Sequence, residues 1–191
     1  HPGFVVRRRV RTFMTLDAAE HLMRAFDALR DSDADAPRVQ IGDASREGGG
    51  PLDQHRSHQT GRDVDIGYFQ LRCREVCGHR TLRPADLDAE RQWRLIEPWL
   101  RGGSVEYIFI DHALQEPLYE AARRDGATRA ELSRWFQWPR AEDVRSGIVR
   151  HVQENGSAHW IVDGLDNDAV AALAGRFGAT ARSQPMSLED I

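Results

Sequence analysis

Residues 48–66 read Gly-Gly-Gly-Pro-Leu-Asp-Gln-His-Arg-Ser-His-Gln-Thr-Gly-Arg-Asp-Val-Asp-Ile. His58 and Asp65 lie seven positions apart in this segment, with Gly61 between them. The residues from Val64 onward predict a strand, and strand alternation puts Asp65 on the face opposite Val64. Because glycine tolerates a reversal of the chain at position 61, we expect His58 to fold back toward Asp65.

A histidine and an aspartate that converge in this way predict a metal site. Catalytic zinc usually takes three protein ligands, commonly imidazole and carboxylate, and keeps one position open for water. Two ligands do not make a site, however, and a solvated turn in which Arg62 pairs with Asp63 explains the same residues. Spacing alone leaves both interpretations open, and a third ligand has to come from elsewhere in the chain.

The wider sequence resembles a known family. Residues 41–51 (Ile-Gly-Asp-Ala-Ser-Arg-Glu-Gly-Gly-Gly-Pro), followed by the histidine-rich residues 55–65, closely resemble the penicillin-insensitive murein endopeptidases. Those enzymes are zinc peptidases related to D-Ala-D-Ala metallopeptidases and lysostaphin-type enzymes. Further similar segments follow in the family's order, at residues 91–96, 105–111, 134–137 and 148–152. The resemblance extends over residues 5–162.

This resemblance implies a fold, an activity and a cofactor. The fold would be hedgehog/DD-peptidase-like, and the cofactor would be zinc, bound by His58 and Asp65. The activity would be hydrolysis of an amide in cross-linked peptidoglycan stem peptides, with the D-Ala–diaminopimelate bond as the expected target. A D,D-carboxypeptidase acting on uncross-linked stems differs only in substrate and stays open.

The chain departs from the family at the last motif. The family ends its site with a His-x-His pair, in which the second His binds zinc and the first assists catalysis. The aligned residues 153–162 read Gln-Glu-Asn-Gly-Ser-Ala-His-Trp-Ile-Val. With a one-residue deletion, His159 takes the ligand position and Ser157 replaces the catalytic His. Other registers place Trp160 or Ile161 on the ligand position, which would abolish the site.

The loss of the catalytic His requires another group to move protons. Serine is no base near neutral pH, and a positioned acid/base contributes about 10²–10⁴-fold to catalysis. His151, which has a family counterpart, is the leading candidate, and Glu154 lies nearby. If neither serves, the chain is a catalytically degenerate module that keeps the family's fold and binds peptidoglycan. The sequence leaves both outcomes open.

Three residues near the predicted site are candidates for substrate binding. Arg46 and Arg62 could each hold a substrate carboxylate through paired hydrogen bonds. They could equally pair with Glu47 and Asp63. His55 resembles a family position beside the zinc. We assign no role to three other histidines, His21, His79 and His112.

Length and composition favour one exported domain. The 191 residues suffice for a single sizeable core. A formal net charge of −4 gives no general reason to expect nucleic acid as a partner. No apolar run is long enough to span a bilayer. No signal peptide is recognisable, so we expect the mature form of a periplasmic or secreted protein. The sequence does not indicate the oligomeric state.

Cys73 and Cys77 lie four positions apart, just before His79. A disulfide is compatible with an oxidising compartment, and two free thiols are the alternative. A metal site formed by Cys73, Cys77 and His79 is disfavoured because a fourth ligand is missing.

The order of predicted elements indicates an α+β fold, with a small, mostly antiparallel sheet and peripheral helices. Strands are predicted at residues 5–10, 39–42, 64–71, 105–110 and 160–162. Helices are predicted at residues 16–29, 88–100, 114–124 and 129–138. A murein endopeptidase-like domain would span residues 1–164. A short helix, at 168–177, and a loose tail would complete residues 165–191.

Overall fold

A computed structural model describes residues 1–52, 55, 57–151, 159–162 and 186–187. For the last two ranges, the description covers the backbone alone. The predicted helix at 168–177 and the predicted boundary at 164 lie outside these ranges.

The helices that the sequence predicts up to residue 138 are all present. They are α1 (Leu16–Ser32), α2 (Ala89–Gly102), α3 (His112–Arg124) and α4 (Arg129–Trp135). Each begins after a capping side chain that accepts a hydrogen bond from the first turn, supplied by Thr15, Asp88, Asp111 and Thr128 in that order. α4 ends three residues before the predicted end. The chain leaves the helix at Phe136, which has an extended backbone and pairs with Val149.

The strands form three small sheets. The nine strands of the described ranges are β1 (Phe4–Val6), β2 (Phe13–Met14), β3 (Arg38–Ile41), β4 (Asp63–Asp65), β5 (Val76–Cys77), β6 (Val105–Phe109), β7 (Val149–Arg150), β8 (His159–Val162) and β9 (Met186–Ser187). The sheet orders are β1-β3-β5, β2-β9 and β4-β8-β6-β7. The α+β class is therefore confirmed.

Antiparallel pairing does not extend through the whole set of strands. It joins β4 to β8, β8 to β6 and β2 to β9, whereas β1-β3-β5 and β6-β7 pair in parallel. Parallel neighbours need a long crossover connection. α1 provides one between β1 and β3, and α3 with α4 provides another between β6 and β7.

Two predicted strands are shorter in the structure, and part of the predicted tail is a strand. The strand predicted at residues 64–71 is limited to β4, which ends at Asp65. The strand predicted at residues 5–10 ends at Val6, and Arg9–Arg11 form a 3-10 helix. The tail predicted to be loose contributes β9, which pairs with β2. A two-residue strand is too short to carry a periodic pattern, so its pairing was not visible in the sequence.

The core lies between the sheets and the helices and is rich in aromatic side chains. Its largest fully buried residues include Trp93, Trp99, Trp135, Phe26 and Phe69. Cys73 and Cys77 form a disulfide, which decides between the bonded and free-thiol interpretations. In the part of the chain that the structure describes, no helix is long and apolar enough to cross a membrane.

Candidate metal centre

Glycines fix the loop that carries the histidines. Gly61 has φ +71°, and its carbonyl accepts a hydrogen bond from Thr15 N at 2.9 Å. A Cβ at this position would lie 2.9 Å from Cα of Met14, so only glycine fits without a shift. Gly50 N donates to the carbonyl of Gln59 at 2.7 Å. The loop is thereby anchored to the start of α1, and Gly61 makes the predicted reversal.

His58 is fully buried and held by two carboxylates. Its φ of +53° is uncommon for a residue other than glycine. Its backbone N–H donates to Asp63 Oδ2 at 2.6 Å, and its Nδ1 lies 2.9 Å from the same oxygen. Its Nε2 lies 3.2 Å from Asp65 Oδ1. Asp63 and Asp65 reach one ring because alternate residues of β4 face the same side.

The two carboxylates control the charge of the His58 ring. Burial lowers the pKa of His58, but hydrogen bonds and charge attraction from Asp63 and Asp65 outweigh it and raise the pKa to about 10. The metal-free protein therefore holds this ring as a cation at neutral pH. A divalent cation would take the place of that proton, since metal binding requires neutral imidazole.

A second imidazole lies against the first. The rings of His55 and His58 have centroids 4.6 Å apart and are nearly perpendicular. His55 Nε2 lies 3.2 Å from Asp43 Oδ2, an oxygen that also accepts a hydrogen bond from Arg11 Nη1 at 3.0 Å. Asp43 is buried. Its Oδ2 therefore links the His55 ring to the Arg11 guanidinium.

His55, His58 and Asp65 together could hold a metal ion. Each offers one ligand atom, and these atoms all lie within 4.8 Å of one another. Imidazole and carboxylate groups are the ligands that catalytic zinc takes in peptidases. His58 also has a carboxylate behind its other ring nitrogen, as metal-ligating histidines usually do. The donor set therefore fits zinc.

The backbone places His159 beside this group. β4 and β8 pair in antiparallel fashion with Asp65 directly opposite His159. The same row across the sheet continues through Phe109 in β6 to Arg150 in β7. The structure thus gives the position of His159 in the sheet; its side chain lies outside the description.

His151 lies at the other edge of this sheet. It follows Arg150 in the chain, so it is about three strand spacings, or roughly 14 Å, from β4. Its Nδ1 accepts a hydrogen bond from the backbone N–H of His112 at 3.1 Å, and its Nε2 lies 2.7 Å from Glu142 Oε1. The structure therefore does not bring His151 to the histidine–aspartate group. The alternatives Glu154 and Ser157 lie outside the described residues.

The two candidate arginines lie on the loop around the site. Arg46 Nε donates to the carbonyl of Gly49 at 2.7 Å. Arg62 is half-buried. Among the described residues, neither arginine forms an ion pair with Glu47 or Asp63.

Sequence reasoning missed two carboxylates of the site, Asp43 and Asp63. Asp63 was considered only as a surface partner of Arg62. The alternation Asp63-Val64-Asp65 was the available signal, because it predicts two carboxylates on one strand face. No local sequence pattern indicates Asp43, because its contact with His55 depends on how the loop that carries His55 returns to the end of β3.

Comparison with known proteins identifies the family. A sequence model of the penicillin-insensitive murein endopeptidases matches residues 4–145. The matched range contains His55, His58 and Asp65 and ends before His151 and His159. A comparison with curated proteins gave no match. Since the match covers well over half of the 191 residues, the chain belongs to the penicillin-insensitive murein endopeptidase family, a family of metallopeptidases.

Proposed function

We propose that this chain is a zinc-dependent peptidoglycan peptidase that hydrolyses an amide in cross-linked stem peptides, with the D-Ala–diaminopimelate bond as its target. The buried His58, 2.9 Å from Asp63 and 3.2 Å from Asp65, is the observation that carries this proposal. Two carboxylates on one buried imidazole suit a metal ligand better than a core histidine. Because the substrate is cell-wall material, the protein acts in the periplasm or after secretion.

The proposed zinc ligands are His58, Asp65 and His159. The register supports His159, since positions directly opposite each other in an antiparallel pair belong to the same face of a sheet. His55 is the alternative third ligand, because its ligand atom lies within 4.8 Å of those of His58 and Asp65. A bound zinc ion would polarise the scissile carbonyl and lower the pKa of water.

The remaining residues orient these groups and bind substrate. The Asp63 carboxylate on Nδ1 of His58 selects the tautomer that leaves Nε2 available to a metal. Asp43 orients His55, which would contact the peptide if it does not bind the metal. Arg46 and Arg62 would hold carboxylates of the stem peptide, which guanidinium groups bind with paired hydrogen bonds.

A second candidate function follows from the position of His151. Proton transfer by His151 remains a prediction, but both of its ring nitrogens have partners at the far edge of the sheet. This arrangement favours a degenerate domain that binds peptidoglycan and hydrolyses it poorly. The two candidates share the same stem-peptide partner and differ in turnover.

Product analysis separates these candidates. Zinc-loaded protein is incubated with purified cross-linked muropeptide dimers, and the products are identified by mass spectrometry. The peptidase is supported if the native protein and the exposed control Asp143→Asn release monomers and Asp65→Asn does not. Binding to isolated peptidoglycan without monomer release supports the degenerate domain. Loss of D-Ala from uncross-linked pentapeptide stems alone would indicate a carboxypeptidase.

A further inference from the structure

A surface cleft beside the disulfide is not explained by the candidate metal centre. It has a volume of about 590 Å³, and Cys73 lies in its wall. Sites for small ligands commonly measure about 300–1,000 Å³. We call it the arginine cleft, because its charged lining residues are Arg72, Arg74, Glu75, Arg80, Arg83 and Asp86. The three residues His55, His58 and Asp65 do not line it.

Positive charge exceeds negative charge in the arginine cleft. Four arginines and two carboxylates give it a local charge of +2, in a chain whose formal net charge is −4. Arg83 Nε donates to Asp86 Oδ2 at 2.9 Å. This hydrogen bond lowers the pKa of the Asp86 carboxyl, and the charges of Arg80 and Arg72 lower it further. One carboxylate therefore lies near three guanidinium groups and can balance the charge of only one.

Three arginines of the cleft have no internal partner in the part of the chain that the structure describes. Arg72, Arg74 and Arg80 are exposed, and their side chains form no hydrogen bond or ion pair with the described residues. Each guanidinium group carries five N–H donors and stays charged. A ligand in the cleft can therefore reach these donors directly, without breaking an internal contact.

Hydrogen bonds and the disulfide fix the backbone that carries these arginines. Gln70 is buried, and its Nε2 donates to the carbonyl of Gly78 at 2.8 Å. Leu71 N donates to the carbonyl of Asp86 at 3.0 Å. These contacts hold the start of the 72–77 loop against residues on both sides of segment 80–83, and the disulfide closes that loop. The arginines are thus held near one another before a ligand binds, which lowers the entropic cost of binding.

Several unpaired guanidinium groups favour a phosphate group over a single carboxylate. Paired hydrogen bonds to one arginine are enough for a carboxylate. A phosphate monoester carries a charge of about −1.5 to −2 at neutral pH and offers three acceptor oxygens, so it can contact more than one arginine at once. The planar guanidinium fork also matches phosphate geometry. The cleft is larger than a phosphate ion, which leaves space for a group attached to the phosphate.

We propose that the arginine cleft is a binding site for a phosphate group, held by Arg72, Arg74 and Arg80. The ligand is either the free ion or a phosphate monoester, such as a phosphorylated sugar. The site needs no metal and no hydrolysis. This inference therefore goes beyond the proposed function and stands or falls independently of it.

Calorimetric titration of the metal-free full chain tests the site, at constant ionic strength and at a mildly alkaline pH that keeps phosphate a dianion. Inorganic phosphate and N-acetylglucosamine 6-phosphate are the two ligands. We expect saturable binding that the double variant Arg72→Gln/Arg80→Gln weakens by about tenfold or more, because charge-assisted hydrogen bonds are lost. The control Arg129→Gln/Arg145→Gln removes the same charge from exposed arginines outside the cleft. It should bind within about twofold of the native protein.

The comparison of ligands identifies the source of the phosphate. Tighter binding of the sugar phosphate indicates a monoester ligand, and equal or tighter binding of inorganic phosphate indicates the free ion. The inference is overturned if the native protein binds neither ligand saturably. It is also overturned if the double variant binds as the native protein does, or if the control variant loses as much affinity. Malonate, a dicarboxylate of similar charge, would overturn the choice of phosphate by binding as tightly.

The melting temperature of the double variant should equal that of the native protein, because the replaced side chains form no hydrogen bond or ion pair with the described residues. If the double variant does not fold, NMR of the native protein decides. Backbone amide resonances of residues 72–83 should shift on addition of inorganic phosphate. Shifts confined to other residues would overturn the inference.

Discussion

Asp65 and His159 lie directly opposite each other in the antiparallel pair β4–β8, although α2, α3 and α4 all lie between them in the chain. Asp65 in turn lies 3.2 Å from the Nε2 of the buried His58. One strand pairing thus joins the family motif near residue 60 to the segment in which the chain departs from the family. The candidate metal centre is assembled at this pairing.

We expect His159→Ala to weaken zinc binding more than His55→Ala does. If His159 is a ligand and His55 an outer partner, the His55 variant should lose no more than the roughly 10–100-fold typical of outer contacts. Chelator competition on both variants measures the difference, with His21→Ala as the control. A larger loss for His55→Ala would instead assign the third ligand to His55.

Asp63→Asn should weaken zinc binding by about 10–100-fold while leaving all proposed ligands in place. The reason is that Asp63 lies 2.9 Å from Nδ1 of His58 and would keep a proton on that nitrogen when zinc replaces the proton on Nε2. The exposed Asp143→Asn provides a control of the same chemistry. Unchanged zinc affinity in Asp63→Asn would show that this carboxylate does not orient a metal ligand.

The metal-free protein should lose stability as the pH rises from about 7 to 10. The pKa of His58 in the folded state, about 10, lies above its ordinary value of 6.5. The ion pairs of the protonated ring therefore contribute fully below pH 6.5 and are lost as the pH rises through the folded-state value. Urea denaturation at several pH values measures this trend.

His58→Gln is the control for the pH trend, because glutamine does not titrate. The decrease in the free energy of unfolding should be much smaller in that variant. Zinc affinity of the native protein should show the opposite trend and rise with pH, because zinc requires the neutral ring. A native stability that is flat from pH 7 to 10 would contradict the charged state assigned to His58.

Gly61→Ala should destabilise the fold by more than about 1 kcal/mol, because alanine is strained at positive φ. Its Cβ would also lie 2.9–3.0 Å from backbone atoms of Phe13, Met14 and Thr15. Gly48→Ala is the matched control, since Gly48 has nearly the same φ, +72°, and nothing within 4 Å of the added carbon. Urea denaturation should show the smaller loss for Gly48→Ala. Equal losses would mean that the close contact at Gly61 adds nothing.

Local pattern was enough to predict part of this protein. The helices follow from apolar residues at helical spacing and from capping residues such as Thr15 and Asp88, which are interactions within a few residues. The pairing of His58 with Asp65 follows from a glycine turn and strand alternation, and the structure confirms their approach at 3.2 Å. The resemblance of residues 41–65 to the family is confirmed by a family match over residues 4–145.

The rest depended on contacts between distant segments, which spacing does not encode. His151 and His159 are both histidines after the last matched residue, yet the strand order puts one at the far edge of the sheet and the other opposite Asp65. Asp43 reaches His55 only because the residues that follow β3, Gly42 and Asp43, pair with Asp65 through backbone hydrogen bonds. By itself the sequence determined the helices up to residue 138, the family and one histidine–aspartate pair, since these depend on near neighbours. Tertiary structure decided which further side chains meet that pair, because strand register and the burial of whole faces depend on the entire chain.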